Sequence, residues 1–522
     1  MRFRAMAAAG ADRVGGCAAA QHEAQLQGDG LSGRWRFEVA ADGSQGPYGA
    51  TCFARANLPD IGAVTVRLRF EEGEDPPRYG DVLEADATLS APGGSSAAYC
   101  WRQGAVLEGT ARRVVSCERA DALGILTGLR NRAIDLIADE GTDDGAAVLA
   151  ALVCGWRGAL EVGDAYAAYQ TSGLAHLVAV SGAHLSIVAG CAAALLRALR
   201  VPRRAGAVLQ ASFLLGFLVL AAAPPSAVRA AVMAFAGMFA FTARRRPAAL
   251  SALAVCMIGC IALDPRTALA VSFALSALST LGIVLFAGLF QAWIAQCFQR
   301  APRLAREALS LTAASSLAAA PLAASLFSQV PVVAPLANVA AAPLFPVVCA
   351  GGLAAVLASL AVPAVAPALI GFASMGAGAL TAVVRALASV PYASLPASVP
   401  LAGALLASAA CAAALWLAWP RPSRRRAFGL VAAVACVMIG TVVVAPRLSG
   451  DEIVMLDVGQ GDAFLVRSRG TAVLIDTGNQ DRMLREALAR HGAYRLDAVV
   501  ITHGDDDHKG SLASLAGVVD VR

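Results

Sequence analysis

The sequence lacks the features that would assign it to a secreted or zinc-ribbon class of protein. Lysine occurs once, at Lys509, which we attribute to genomic base composition. None of the 12 cysteines has CxxC spacing, and those from Cys191 to Cys436 lie in apolar segments, where cysteine acts as a small hydrophobic residue. Residues 1–30 contain no apolar core of the length that a signal peptide needs. We therefore expect neither a signal peptide nor a membrane span in this N-terminal extension.

Acidic residues are almost absent from the middle of the chain. Between Thr171 and Pro446 the sequence has 17 arginines but only two acids, Asp264 and Glu307, which gives a local balance of +15. Since the whole chain carries +5, the remaining residues sum to −10. The content of 57% hydrophobic residues and the mean hydropathy of +0.62 are typical of a membrane protein. The basic charge therefore belongs to membrane loops and is not a nucleic-acid footprint.

Two regions precede the apolar part of the chain. Residues 31–118 alternate between apolar and polar residues, as in Val64–Phe70, and predict a small antiparallel β domain, a barrel rather than a sandwich. Acids outnumber arginines there, so composition gives no basic DNA-binding groove, and a purely structural module is the alternative. Cys52, Cys100 and Cys117 could form one disulfide if this domain is external, with the pairing left open.

Residues 119–170 show leucines and isoleucines at helical spacing beside charged residues. This pattern predicts amphipathic helices on the membrane surface, with Trp156, Tyr166 and Tyr169 as interface anchors. A soluble linker helix is the alternative.

About ten apolar segments of membrane-spanning length follow in residues 171–446. We place them at 173–196, 206–223, 227–243, 248–263, 268–290, 308–327, 332–357, 364–389, 399–419 and 427–446. Arginines are concentrated in the loops after the first, third, fifth and ninth segments. Because positive loops stay in the cytoplasm, we expect both soluble domains to be external.

Polar residues recur inside several apolar segments and predict a path for a polar substrate. In the helix that starts this block, Ser172, His176, Ser181 and His184 fall within one half of the circumference, and such a face normally looks into protein or a wet cavity. Prolines suggest helices broken at membrane depth, which are tolerated where they line a cavity. The alternatives are packed histidines and ordinary kinks. The prolines considered are Pro224, Pro225, Pro321, Pro335, Pro343 and Pro346, and the predicted lining residues are Ser172, His176, Ser181, His184, Arg229 and Asn338.

A cluster of imidazoles and carboxylates follows a strand near the C-terminus. The order is a strand ending in Asp476-Thr477-Gly478, a helix at Asp481–Arg490, an apolar strand at 498–501 and then Thr502 to His508. We expect His503, Asp505, Asp507 and His508 to bind one or two divalent cations, with Asp476 orienting them. Asp507 and Asp476 are the candidate catalytic residues. A solvated acidic loop is the alternative.

These motifs together resemble a known family. The His503–His508 cluster with Asp476 resembles the metallo-β-lactamase fold, and Asp457–Ala463 is similar to the form found in the ComEC family of competence proteins. The membrane block resembles the competence domain of that family in the order and spacing of its motifs, and the β domain resembles the OB-like domain. The motifs are Ser172–Leu185, Pro225–Ala230, Asp264–Pro265 with Ser272–Ser276, and Pro335–Asn338 with Pro343–Leu344. The resemblance implies a channel that moves single-stranded DNA inward across the bacterial plasma membrane while an external nuclease-like domain degrades the other strand.

The expected fold class is therefore a multidomain, multi-pass membrane protein with four regions after the extension at 1–30. They are an OB-like β-barrel (31–118), interfacial helices (119–170), a polytopic α-helical bundle of about ten helices (171–446) and a partial αββα metallo-β-lactamase-like domain (447–522). Competing interpretations are a membrane-anchored metallohydrolase without a transport role and a truncated, inactive product.

The resemblance also implies partners and a metal. Expected partners are single-stranded DNA, membrane lipid, an external DNA receptor and a cytoplasmic ATP-driven translocase, with a homo-oligomer left open. The metal is zinc or manganese, and Asp505 stands where the wider pattern often has His, which favours manganese or a weaker zinc site. Because residues 447–522 supply only part of the ligand set, we expect no metal-dependent nuclease activity from this chain.

Overall fold

The computed structural model describes residues 31–522 apart from 47–48, 59–61, 71–75, 118–121, 163, 243–248, 264–266, 269, 399, 404, 407–408, 410–412, 414–449, 460 and 522. The predicted extension at 1–30, the apolar segment 427–446 and most of segment 399–419 therefore lie outside the described residues. Contacts divide the chain into two compact units. The first comprises Met1–Asp164, Leu177–Ala274 and Pro346–Ala379, and the second comprises Ala165–His176, Leu275–Phe345 and Leu380–Arg522.

A closed β-barrel begins the first unit. Strand β1 pairs with both β5 and β3, and the order β1-β5-β6-β4-β3 closes the sheet, with β2 as a short addition. Inward-facing residues such as Phe37, Leu68 and Leu89 are buried and form its core. The barrel expected from the alternation is confirmed, although β4 and β6 pair in parallel rather than antiparallel. The elements are β1 (Leu31–Val39), β2 (Ser44–Gly46), β3 (Gly49–Leu58), β4 (Gly62–Phe70), β5 (Val82–Ser90), α1 (Gly94–Gln103) and β6 (Ala105–Cys117).

The helices after the barrel are packed more deeply than the amphipathic pattern predicts. They are α2 (Ala122–Glu140), α3 (Asp143–Cys154), α4 (Gly158–Val162) and α5 (Asp164–Thr171). Gly145 permits close packing of α3, because a Cβ there would meet the carbonyl oxygen of Ser374. Trp156 and Tyr169 are buried, so their expected role as interface anchors is wrong: Trp156 lies under the Arg78 guanidinium, and the Tyr169 hydroxyl lies 3.3 Å from Thr381 Oγ1.

A buried arginine joins the barrel to the helices. Arg130 of α2 is fully buried, and its guanidinium donates to both carboxylate oxygens of Asp42, in the β1–β2 loop, at 3.0 and 2.6 Å. Its Nε also donates to the carbonyl oxygens of Cys154 and Leu220, at 3.0 and 3.1 Å. These carbonyls end two helices and lack intrahelical partners, so Arg130 satisfies them as well as the barrel loop.

Apolar helices make up most of the rest of both units. Within the described part of the chain, four are long and apolar enough to cross a membrane: Val271–Cys297, Arg303–Phe327, Leu344–Ala361 and Pro363–Ala388. The count of ten spanning helices is therefore not confirmed. The helices are α6 (Ala175–Val178), α7 (Gly182–Ala198), α8 (Arg203–Leu220), α9 (Pro225–Thr242), α10 (Ala249–Leu263), α11 (Val271–Cys297), α12 (Arg303–Phe327), α13 (Ala334–Ala341), α14 (Leu344–Ala361) and α15 (Ala366–Ala388).

The first predicted segment is not one helix. α6 ends at Val178 and α7 begins at Gly182, because Ser181 is extended (φ −138°, ψ 179°) and caps α7. The shared helical face inferred for Ser172 to His184 is therefore wrong. The prolines also act differently from one another: Pro343 separates α13 from α14, whereas Pro321 lies inside the uninterrupted helix α12.

The C-terminal region of the second unit is a small α/β domain. Its sheet has the order β13-β11-β10-β9, and α16 packs Leu484 and Leu488 against the core. On the sheet, Ile453 and Met455 are 76% and 62% exposed, as expected for an uncovered apolar face. The elements, after the paired strands β7 (Gln329–Pro331) and β8 (Ser394–Pro396), are β9 (Glu452–Met455), β10 (Phe464–Ser468), β11 (Thr471–Ile475), α16 (Asp481–Arg490), β12 (Arg495–Leu496), β13 (Ala498–Val500), α17 (Asp506–Lys509) and β14 (Asp520–Val521).

Candidate functional site

Two neighbouring parallel strands bring the chemical residues of the C-terminal domain together. β11 and β13 are adjacent, with Ile475 opposite Val500, so the residues that follow both strands meet at one edge of the sheet. Asp476 follows β11, and the segment from Thr502 to His508 follows β13. Polar groups placed at the carboxyl ends of adjacent parallel strands are a common arrangement for a binding site.

His503, Asp507 and His508 form the centre of this site. Each offers a ligand atom, and these atoms all lie within 4.8 Å of one another. The two imidazole rings are 3.7 Å apart between centroids and are tilted by 45°. Asp505, also predicted as a ligand, is brought near His503 only, with its Oδ2 3.3 Å from His503 Nε2. The cluster therefore has three convergent ligands and a fourth at its margin.

Asp476 lies beneath the cluster and is 3% exposed. Its Oδ2 accepts a hydrogen bond from His508 Nδ1 at 2.9 Å, and its two oxygens accept from the hydroxyl and the backbone N–H of Thr502 at 2.7 and 2.8 Å. Burial acts to raise the pKa of the Asp476 carboxyl, but the hydrogen bonds from His508 and Thr502 outweigh it and hold the pKa below its ordinary value. The carboxyl is therefore ionised at neutral pH and only accepts hydrogen bonds.

The backbone around the cluster is held from two directions. The carbonyl oxygen of His508 accepts hydrogen bonds from Thr477 N at 2.7 Å and from Thr477 Oγ1 at 3.0 Å. Gly461 (φ +90°) lies against the carbonyl of Asp507, where a Cβ would collide with that oxygen. Gly461, which belongs to the Asp457–Ala463 motif singled out in the sequence, thus contacts the loop that carries the ligands.

The donor set fits a divalent cation. Two imidazoles and a carboxylate lie within reach of one ion, and this mixture of nitrogen and oxygen donors is common at divalent-metal sites. His508 is already oriented through its Nδ1 by a carboxylate outside the ligand set, which is the usual arrangement for a metal-binding histidine. The hydrogen bond to Asp476 also raises the pKa of His508, so protonation of this imidazole competes with binding of a cation.

Three of the predicted lining residues are neighbours in the first unit. His184 is fully buried, and its Nδ1 accepts the N–H of Ser181 at 3.2 Å. Ser226 of α9 donates to the carbonyl of Val180 at 2.8 Å, which brings the start of α9 to the start of α7. Arg229 lies one turn along α9 and is 4% exposed. The start of α7 and the start of α9 thus bring a buried imidazole and a buried guanidinium to one region.

The other three predicted lining residues belong to the second unit. Ser172 is fully buried and donates to the carbonyl of Tyr169 at 3.3 Å, whereas His176 is exposed, with Nδ1 3.1 Å from the carbonyl of Gly173. Gly173 packs against Ala334, at the start of the helix that carries Asn338. The Asn338 amide donates back to the carbonyl of Ala334 at 2.9 Å.

Sequence reasoning missed two features. Thr502 was seen only as part of a segment, although it contacts Asp476 and both histidines. On the barrel, Phe53 and Tyr99 have ring centroids 5.8 Å apart, and the Arg67 guanidinium lies 5.3 Å from the Tyr99 centroid. The count of charged residues in the β domain did not reveal this patch, because acids elsewhere in the domain offset the positive charge of Arg67. Alternation along β3 and β4 would have revealed Phe53 and Arg67 on one outer face.

Two family models match the chain. The model described as "Competence protein" matches residues 152–422, just over half of the chain, and the model of the metallo-beta-lactamase superfamily matches residues 456–522. The second match contains the cluster described above.

Two curated proteins are similar over most of the chain. It is 31% identical to "Competence protein ComA" of Neisseria gonorrhoeae over 402 residues, which cover 73% of this chain and 54% of that protein. It is 24% identical to "ComE operon protein 3" of Bacillus subtilis (strain 168) over 382 residues, which cover 67% of this chain and 48% of that protein. The chain therefore spans about half the length of these relatives. No solved structure matches it.

Proposed function

The chain belongs to the competence protein family, and on that premise we propose that it passes single-stranded DNA across the bacterial plasma membrane. In this proposal the apolar helices form the path, the barrel and the C-terminal domain are external, and the C-terminal domain provides part of a nuclease-like metal site. The Arg-rich and Arg-poor loops support this orientation. An external DNA receptor and a cytoplasmic ATP-driven translocase would act with it.

The observation that carries the transport proposal is the pair of buried polar side chains, His184 and Arg229, in apolar helices. Ionisable groups at membrane depth are costly, and they are typically retained where they line a path or bind a substrate. A guanidinium is well suited to a phosphodiester, because its donors match phosphate oxygens. Arg229 is therefore the residue that we propose to contact the DNA backbone, with His184 and Ser181 beside it.

The Phe53–Arg67–Tyr99 patch gives the barrel a role in the same process. Phe53 and Arg67 are opposite each other in the β3–β4 pairing, and Tyr99 is 47% exposed. Exposed aromatic rings beside arginines bind single-stranded nucleic acid by stacking on bases and attracting the backbone. We propose that this patch receives the strand before it enters the membrane path.

The C-terminal cluster supports a metal-binding role for a nuclease-like domain. His503, Asp507 and His508 would hold a divalent cation, with Asp505 at its margin and Asp476 orienting His508. A bound cation would supply an activated water and stabilise charge on a phosphodiester. Of this chain's own residues, Asp507 would help to hold the cation through its carboxylate, and Asp476 holds the Nδ1 proton of His508.

Uptake of labelled DNA by competent cells tests the transport proposal. His184→Leu and Arg229→Met should abolish uptake while the protein remains in the membrane, because both remove a polar group from the proposed path. Gln210→Leu is the matched control: Gln210 is a half-buried polar residue of α8 that donates to the carbonyl of Ala189. Normal uptake by the first two variants would overturn the channel proposal.

The convergence of His503, Asp507 and His508 favours a second candidate, a membrane-anchored metallohydrolase. A protein whose helices serve only as a membrane anchor needs apolar helices, but it does not need buried polar side chains such as those of His184 and Arg229. In that case His503→Ala would lose DNA hydrolysis while His184→Leu and Arg229→Met would leave uptake unchanged, so adding His503→Ala to the variants above separates the two candidates.

A further inference from the structure

Thr502 lies between β13 and the candidate metal ligands and contacts three side chains of the site. Its hydroxyl oxygen is 2.7 Å from Asp476 Oδ2, 3.0 Å from His503 Nδ1 and 3.4 Å from His508 Nδ1. Its backbone N–H donates to Asp476 Oδ1 at 2.8 Å. Thr502 is not itself a candidate metal ligand, so its contacts with three side chains of the site indicate a different role.

The hydrogen count of these groups fixes which atom donates in each contact. A threonine hydroxyl has one hydrogen, and an ionised carboxylate has none to give, so the 2.7 Å contact uses the hydroxyl hydrogen. The hydroxyl can then only accept from His503, which means that His503 Nδ1 carries a hydrogen. His508 Nδ1 likewise donates to Asp476 Oδ2 at 2.9 Å.

The consequence is that each imidazole turns Nε2 towards a carboxylate of the candidate ligand set. His503 Nε2 lies 3.3 Å from Asp505 Oδ2, and His508 Nε2 lies 3.7 Å from Asp507 Oδ2. A histidine binds a metal through the nitrogen that lacks a hydrogen, and the hydrogen bond at the other nitrogen selects which one that is. His508 is set directly by Asp476, whereas His503 reaches Asp476 only through Thr502.

We propose that Thr502 is a positioning residue that links His503 to Asp476 and so holds His503 with Nε2 available for a divalent cation. This inference rests on the proposed metal site. The hydroxyl is the atom that matters, because the backbone N–H of any residue at this position would still reach Asp476 Oδ1. Thr502→Val is accordingly the informative variant: it keeps the branched shape and the backbone bond and removes the hydroxyl.

Metal binding by the full chain in detergent tests the proposal, with Mn²⁺ or Zn²⁺ alone as the probe. Thr502→Val should weaken binding by roughly 10- to 100-fold, the usual effect of removing a group that orients a ligand. Thr502→Ser, which keeps the hydroxyl, should bind as the unchanged chain does. Equal affinity in Thr502→Val and the unchanged chain would overturn the inference, as would a loss in Thr502→Ser as large as in Thr502→Val.

A second readout needs no metal. The chain has six histidines, so ¹⁵N labelling of histidine gives a small set of imidazole signals, and His503→Ala identifies one of them. In the unchanged chain and in Thr502→Ser, His503 should carry its hydrogen on Nδ1, and in Thr502→Val that preference should disappear. If the unchanged chain binds neither metal, the proposed metal site fails. If it binds metal but the His503 signal is the same in Thr502→Val, only the role of Thr502 fails.

Discussion

Replacing Arg130 by Met tests whether the barrel is held to the helices by one buried ion pair. The change keeps an unbranched, apolar stem of similar reach and removes the guanidinium. Asp42, whose side chain is 19% exposed, would lose both of its bonds to Arg130 and keep the bond from the N–H of Tyr79 at 2.8 Å. The carbonyls of Cys154 and Leu220 would each lose a donor.

The expected magnitude follows from burial. Removing one partner of a buried, hydrogen-bonded ion pair costs about 3–5 kcal/mol, because the other charge is left without compensation. Every 1.4 kcal/mol is about tenfold in an equilibrium, so separation of the barrel loop from α2 should become at least about a hundredfold more frequent. Cys154 reports this opening, since its side chain is fully buried at the end of α3.

The assay is alkylation of Cys154 in the full chain in detergent, followed at the level of the peptide by mass spectrometry. Arg34→Met is the matched control: Arg34 also makes two bonds to one carboxylate, that of Asp86, at 3.0 and 3.3 Å, but the pair is exposed. Solvent screens exposed pairs, so that variant should leave Cys154 as protected as in the unchanged chain. Equal alkylation rates in the two variants would refute the reasoning.

Three further predictions follow from particular residues. Burial raises the pKa of the Cys52 thiol to about 12, so the folded barrel keeps a proton that the unfolded chain loses above the ordinary pKa of 9.0. Between these two pKa values the free energy of unfolding of the barrel should fall with rising pH by up to about 1.4 kcal/mol per pH unit. Urea titrations of the barrel transition should show this slope in the unchanged chain and no such slope in Cys52→Ala. Gly461→Ala should weaken Mn²⁺ binding because the added Cβ would meet the Asp507 carbonyl. Gly470→Ala is the control, since Gly470 also has a positive φ (+84°) but has open space where a Cβ would lie, and it should leave Mn²⁺ binding unchanged. Equal Mn²⁺ affinities in the two variants would contradict the packing argument. Cys52 and Cys100 are buried, so the side of the membrane on which the two soluble domains lie is tested with thiols introduced at exposed positions. Asn57→Cys and Ser468→Cys should react with an impermeant maleimide in intact cells. Reaction only after lysis would exclude an external location.

The sequence predicted the elements whose signals are local. Alternation along Val64–Phe70 gives a strand whatever its partners are, and the barrel was found as expected. The helix at Asp481–Arg490 was predicted to the residue, because charged and apolar positions there follow one helical period. The order of strand, helix, strand and His-Asp cluster also placed His503, Asp507 and His508 in one loop, where proximity needs no long-range information.

Interruptions in the membrane part were harder to predict, because hydropathy measures length and polarity but not backbone conformation. The segment 173–196 has the composition of one helix, yet the extended Ser181 divides it. Pro321 looks like a break in the sequence and lies inside α12, since neighbouring groups can compensate for a missing hydrogen bond.

Amino-acid sequence by itself thus determined the class of the molecule and the residue types of its His-Asp cluster, because composition, period and spacing are carried by neighbouring residues. Tertiary structure alone decided which distant groups meet. Arg130 finds Asp42 88 residues away, and Thr502 joins His503 to Asp476 across two strands. Such contacts depend on how strands and helices pack, and burial then sets their strength by excluding water from the charges.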